Sequence, residues 1–146
     1  MNAPVAHVLD RKGYDVVTVP PTASVFDAVT LMEEKRIGCL LMLSKTGKMA
    51  GILSEKDCVR KVFLPEKNAR EVLVKDIMSK KVIYVTLETT VDDCMSVMTQ
   101  KRIRHLPVMD GQKVVGLISI GDLVKFVSSQ QDIMIRNLEK YIEGSL

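Results

Sequence analysis

The sequence predicts an α+β fold made of two β-α-β-β-α repeats packed about a pseudo-twofold axis. Three observations carry that expectation. The 146-residue chain aligns with itself at a constant offset. Each half passes from strand-type to helix-type apolar spacing in the same order. Neither half is long enough for a secure core of its own, so a shared interior is expected.

Val25-Phe26-Asp27-Ala28-Val29 matches Val91-Asp92-Asp93-Cys94-Met95 at an offset of 66, and Arg36-Ile37 falls on Arg102-Ile103. Gly51-Ile52-Leu53-Ser54 through Asp57 matches Gly116-Leu117-Ile118-Ser119 through Asp122 at an offset of 65, so one residue is lost in the last loop.

Each repeat opens on an apolar strand, Val16-Val17-Thr18-Val19 and then Val82-Ile83-Tyr84-Val85. A helix follows with apolar positions 25, 28, 29 and 32, matched by 91, 94, 95 and 98, which places one stripe toward a core. Ser24 with Asp27, and Thr90 with Asp93, stand as N-caps with a third-position acid. Two strands come next, 39–43 with 49–54 and 105–109 with 114–119, each pair joined across a Gly suited to a hairpin turn. Helices over 55–63 and 120–128 close the repeats. Residues 65–71 read as a polar linker, and 133–142 as a further amphipathic helix with Met134, Leu138, Tyr141 and Ile142 near one face.

At this level the chain resembles the tandem cystathionine-β-synthase (CBS) domain family, whose paired form is called a Bateman module. The residues that carry the resemblance are Ile103-Arg104-His105-Leu106-Pro107-Val108, Gly116-Leu117-Ile118-Ser119-Ile120-Gly121-Asp122 and Asp76-Ile77-Met78. Weaker copies lie at Ile37-Gly38-Cys39-Leu40-Leu41-Met42 and Gly51-Ile52-Leu53-Ser54-Glu55-Lys56-Asp57. The resemblance implies domains over 5–63 and 76–128, a linker at 64–75 and a carboxy-terminal helix within 129–146.

The resemblance also implies a non-catalytic regulatory module that binds an adenine nucleotide, with AMP first and ATP, NAD(H) or S-adenosylmethionine as alternatives. It implies a stand-alone sensor, a homodimer and an unnamed regulated protein. One cleft is expected to use Ile52, Ser54, Lys56 and Asp57, faced by Ile83, Ile103, Arg104 and His105. The other is expected to use Leu117, Ser119, Gly121 and Asp122, faced by Val17, Ile37, Gly38 and Cys39. A carboxylate at Asp57 or Asp122 can accept from both ribose hydroxyls, at roughly 1.5–3 kcal/mol for each bond to a charged group. The helix start beside it offers N–H groups to a phosphate, and Arg104 can add a charge-assisted fork. The Asp57 cleft is expected to be the stronger, since the Asp122 cleft lacks a cation unless Arg11 or Lys12 supplies one.

Plainer readings stand beside these. Ser54-x-x-Asp57 and Ser119-x-x-Asp122 are also ordinary helix caps. The odd set Cys39, Cys58 and Cys94 reads as small core residues in a reducing, cytoplasmic setting. Only His7 and His105 are available, and neither has a metal-ligand partner at a recognisable spacing, so no catalytic or metal site is expected. A net charge of +3 and 4% aromatic residues argue against nucleic acid. No uncharged apolar run is long enough to span a bilayer. The competing functional reading is a ligand-independent homodimerisation module.

Overall fold

The computed structural model describes residues 2–142. In chain order the elements are α1 (Val5–Lys12), β1 (Thr18–Val19), α2 (Val25–Lys35), β2 (Cys39–Leu43), β3 (Met49–Ser54), α3 (Glu55–Cys58), a π-helical turn (Val59–Phe63), α4 (Val74–Ile77), β4 (Val85–Thr86), α5 (Val91–Lys101), β5 (His105–Asp110), β6 (Lys113–Ser119) and α6 (Ile120–Ile142). The fold is α+β with two three-stranded sheets, β1-β2-β3 and β4-β5-β6.

Two compact units divide the chain, and they do not follow the sequence repeats. One contains residues 15–84 with 109–115; the other contains, among the described residues, 2–14, 85–108 and 116–142. Each repeat therefore surrenders its leading helix to the unit built on the other repeat.

In the 15–84 unit, β1 runs parallel to β2 through Thr18↔Leu41 and Val19↔Met42, while β2 pairs antiparallel with β3 from Cys39↔Ser54 to Met42↔Gly51. Val25, Ala28, Met32, Leu40, Met42, Leu53, Cys58, Val62, Val74 and Ile77 form its core. α4 docks there because its chain end pairs with β3, as Ile52 and Ser79 exchange backbone bonds of 3.0 and 2.9 Å. Gly51 makes this approach possible: a Cβ there would lie 2.6 Å from Met78 Sδ and 2.9 Å from the Ser79 carbonyl oxygen.

The other unit repeats the device. Val5 N–H donates to the Thr89 carbonyl at 2.7 Å and Val91 N–H to the Ala3 carbonyl at 2.8 Å, which ties α1 to the start of α5. A Cβ on Gly116 would lie 2.7 Å from Leu9 Cδ1, so α1 crosses Gly116 of β6 where Met78 crosses Gly51 of β3. Val5, Leu9, Val91, Cys94, Leu106, Ile118 and Leu123 are fully or almost fully buried. The repetition extends to backbone conformation, since α2 and α5 both end on an arginine in the left-handed region, Arg36 at φ 53° and Arg102 at φ 54°.

Several expectations need correction. The opening strands shrink to Thr18–Val19 and Val85–Thr86. Residues 82–84 lie ahead of the crossing between units at 84–85, and Val17 gives β2 only its carbonyl, which accepts from Leu41 N–H at 3.4 Å. The leading helices α1 and α4 were not anticipated. Helices over 120–128 and 133–142 are one continuous α6, because the polar stretch Ser128-Ser129-Gln130-Gln131-Asp132 holds neither Gly nor Pro to break it. Residues 143–146 lie outside the described residues, as do the side chains of Tyr141 and Ile142. The helix over 55–63 has the expected span but widens to π geometry from Val59, with Leu64 N–H donating to the Val59 carbonyl at 2.9 Å. Val29, expected on the core stripe, is 42% exposed.

Cys39, Cys58 and Cys94 are buried thiols, as their apolar surroundings in the sequence implied. Burial, aided by neighbouring carboxylates, pushes the Cys58 and Cys94 thiols up to about 11, which keeps them protonated and inert at neutral pH. Among the described residues no helix is long and apolar enough to cross a membrane, and no three His, Cys, Asp or Glu side chains gather as a metal cluster would require.

Candidate functional site

Each unit ends its sheet in a Ser-x-x-Asp junction where a strand turns directly into a helix. In the 15–84 unit, Ser54 keeps extended backbone (φ −108°, ψ 162°) before α3 begins. Its Oγ accepts from Asp57 N–H at 3.2 Å, and Asp57 Oδ2 accepts from Ser54 N–H at 3.0 Å and from Ser54 Oγ at 3.1 Å. This is a complete capping box. Lys61 Nζ stands 3.9 Å from Asp57 Oδ1 but spends its hydrogen bond on the Ile77 carbonyl at 2.8 Å. Lys56 is exposed, Ile52 is half-buried, and Ile83 lies on the exposed stretch ahead of the crossing. Gly38 abuts the junction, its carbonyl accepting from Glu55 N–H at 3.0 Å, while Cys39 pairs with Ser54 across the sheet. Val17 and Ile37 pack half-buried against the core of this unit.

The second junction, in the other unit, has the same frame and different surroundings. Ser119 Oγ accepts from Asp122 N–H at 3.1 Å, and Asp122 Oδ2 accepts from Ser119 N–H at 2.8 Å. Arg104 takes the place of Gly38, its carbonyl accepting from Ile120 N–H at 2.9 Å. Ile103 and His105 are half-buried beside it, Arg104 is exposed, Leu117 is half-buried on β6, and Gly121 is exposed in the first turn of α6. Asp27 and Asp93, by contrast, donate only their backbone N–H groups to Ser24 and Thr90, with no return bond from the carboxylates among the described residues.

What separates the two junctions is Lys12. Its ammonium donates to Asp122 Oδ2 at 2.6 Å and to the Leu117 carbonyl at 2.5 Å. Burial alone would raise the Asp122 carboxyl, but the bonds from Lys12 and Ser119 outweigh it and hold the group below its ordinary value. His105 is lowered, first by burial and then by Lys12 and Arg104, with Asp122 opposing. The expected shortage of cations at Asp122 is therefore met by Lys12, one of the two residues the sequence offered for it. Arg11, the other, lies 4.9 Å over the Phe126 ring and donates to Ser129 Oγ at 3.0 Å. Sequence reasoning missed α1 itself, although Val5, Val8, Leu9 and Lys12 carry helical spacing ahead of Gly13.

A duplicated strand–helix junction in each of two α+β units, with an acid returned onto its cap, defines a tandem-repeat module. The CBS domain family matches residues 5–64 and 74–129, and the chain belongs to that family. It is 37% identical over 126 residues to the mitochondrial CBS domain-containing protein CBSX3 of Arabidopsis thaliana, covering 83% of this chain and 61% of that one. The chain thus spans about three-fifths of the length of that curated relative. The crystal structure of the CBS domain protein NE2398 superposes with a TM-score of 0.82 at 46% identity, covering 86% of this chain and 97% of the other. The CBS domain protein PAE2072 of Pyrobaculum aerophilum, solved in complex with AMP, has a TM-score of 0.74 at 21% identity, covers 82% and 89%, and supports the fold alone.

Proposed function

We propose that this chain is a regulatory module, without catalysis of its own, that binds an adenosine-containing ligand at its two Ser-x-x-Asp junctions. The observation that carries the reading is that both boxes engage Oδ2 of the aspartate in the cap. The carboxylate is thereby held in one orientation at a helix start, and Oδ1 takes no part in the cap. Ordinary capping explains the serine and the backbone bonds. It does not require an acid reaching back, as the simpler caps at Asp27 and Asp93 attest.

A fixed carboxylate at a helix start suits vicinal ribose hydroxyls next to a phosphate, and the N–H groups of the first turn that the cap bonds leave over are those of Lys56 and Gly121. AMP is the first ligand to try, with ATP and NAD(H) sharing the same adenosine contacts. Within each unit, Gly38 and Cys39 adjoin the Asp57 junction, and Ile103, Arg104 and His105 adjoin the Asp122 junction. The module acts by ligand binding to one of two states, whose balance shifts by the difference in affinity. Its three buried thiols suit a reducing compartment.

A second reading has one observation in its favour. Ile133, Met134, Ile135 and Leu138 on α6 are 44–63% exposed, an apolar display suited to self-association. Thermal denaturation with AMP, ATP, NADH and S-adenosylmethionine separates the two. A rise in midpoint selective for adenosine ligands, and reduced in Asp57→Ala or Asp122→Ala, supports the sensor. A concentration-dependent midpoint indifferent to all four supports the association module.

A further inference from the structure

The contact between Lys12 and Asp122 does more than balance two charges. Asp122 Oδ2 accepts from Ser119 N–H at 2.8 Å and from the Lys12 ammonium at 2.6 Å. A carboxylate oxygen has two lone pairs, so these two bonds fill it. The same ammonium donates to the Leu117 carbonyl at 2.5 Å. Lys12 of α1 thus ties the end of β6 to the first turn of α6.

A plainer account covers half of this. Ile52, the counterpart of Leu117 at the offset of 65, has its carbonyl closed by Ser79 N–H at 2.9 Å. The Leu117 carbonyl takes its donor from Lys12 instead, and a cation in the last turn of α1 also complements the helix dipole. Neither need extends to the carboxylate. At the Asp57 junction the second donor to Oδ2 is the Ser54 hydroxyl at 3.1 Å, a neutral group that can turn to another acceptor. At Asp122 it is a cation anchored by two bonds.

Room is not what is lacking. Lys12 and Asp122 share a cavity of about 290 Å³ between α1 and α6, whose lining also includes Arg11, Lys125 and Phe126. That is close to the roughly 300 Å³ at which small-molecule sites begin. A ribose brings two hydroxyl donors of the kind the ammonium already supplies, and it brings no charge. To use both oxygens of Asp122 it must break an ion pair.

We propose that Lys12 competes with a ribose for Asp122, an autoinhibitory latch that α1 closes over its own unit and that a ligand must displace. The latch rests on the reading of Asp122 as a ribose acceptor. It sets Lys12 against the ligand, because the cation that the sequence offered to a phosphate is engaged by the carboxylate.

Adenosine is the probe, since it carries the vicinal hydroxyls and no phosphate that Lys12 could attract. Isothermal titration compares Asp57→Ala, in which only the Asp122 junction keeps its acid, with the same protein also carrying Lys12→Met or Lys12→Gln. Lys12→Met should tighten adenosine binding about 2- to 5-fold, the size expected of a partly exposed ion pair. Lys12→Gln, a milder change for the fold, should shift it the same way. Added salt screens the pair, so adenosine should bind Asp57→Ala more tightly as salt rises, while the Lys12→Met form stays level. If the wild-type protein binds adenosine and neither Lys12 substitution tightens binding, the latch is overturned and the reading of the junctions stands. A gain that persists when Asp122→Ala is added lies elsewhere and overturns it too. A folded wild-type protein that binds no adenosine overturns the functional reading, and the latch falls with it.

Discussion

The Asp57 and Asp122 junctions share a capping box, yet only Asp122 carries a close ion pair, 2.6 Å from Lys12 against 3.9 Å between Asp57 and Lys61. Both repeats own a lysine that could serve. Leu9 and Met78 cover the equivalent glycines, and Lys12 and Lys81 each follow three residues later. α1 stays helical through Lys12 and delivers it one turn past Leu9, whereas α4 stops at Ile77 and Met78 turns extended (φ −63°, ψ 149°). Backbone path, more than residue type, decides which aspartate receives a cation.

The glycine crossings give the largest test of that comparison. Gly51→Ala meets the Ser79 backbone as well as Met78, and Gly116→Ala meets only the Leu9 side chain. Overpacking of this kind costs about 1–3 kcal/mol, and Gly51→Ala should lie at the upper end with Gly116→Ala below it. Urea unfolding of the two variants checks the order; equal losses would mean that the two crossings are equally tight.

Next in size is the ion pair. Lys12 and Asp122 are partly exposed, 34% and 23% by side chain, so solvent screening limits the pair to about 0.5–1 kcal/mol, and Lys12→Met should lose that much at neutral pH. Lys61→Met should lose less, through its bond to Ile77. Because the Asp122 carboxyl is held below its ordinary value of 3.8, its contribution is fully present above that pH and is lost as pH falls through the folded value. The gap between wild type and Lys12→Met should accordingly close in acid.

A smaller effect applies to both units alike. Arg36→Gly and Arg102→Gly relieve a left-handed backbone at equivalent helix ends. Each should gain up to about 0.5–1 kcal/mol after the entropy cost of glycine. Unequal gains in thermal melts would show that the two ends differ in more than sequence.

The finest probe is His105, which should titrate below 6.5 by NMR, higher in Lys12→Met and lower still in Asp122→Asn. Its neutral form favours folding, so this contribution is present above 6.5 and declines as pH falls through the window beneath it. A His105 titration indifferent to Lys12 would place the ammonium away from Asp122 in solution.

Much of this was legible in the sequence. The offset between the Val25 and Val91 helices and the two Ser-x-x-Asp boxes located α2, α5 and both strand–helix junctions, because apolar periodicity and caps are local signals. The exchange of leading helices was not legible. Four residues of α4 carry too little periodicity, and no local signal says that Leu9 belongs over Gly116, more than a hundred residues away. For the same reason Arg11 and Lys12 could be named as candidate cations for Asp122, while the cavity they form with Lys125 and Phe126 could not be seen.

The central claim is that the fixed carboxylates of Asp57 and Asp122 hold an adenosine ligand. Isothermal titration of the wild-type protein, Asp57→Ala and Asp122→Ala with AMP tests it most directly. Saturable binding weakened at least about 10-fold by one of the two substitutions is the predicted result, the loss expected from a hydrogen bond to a charged group. Binding unchanged in both variants, or no AMP binding by the folded wild-type protein, would contradict it.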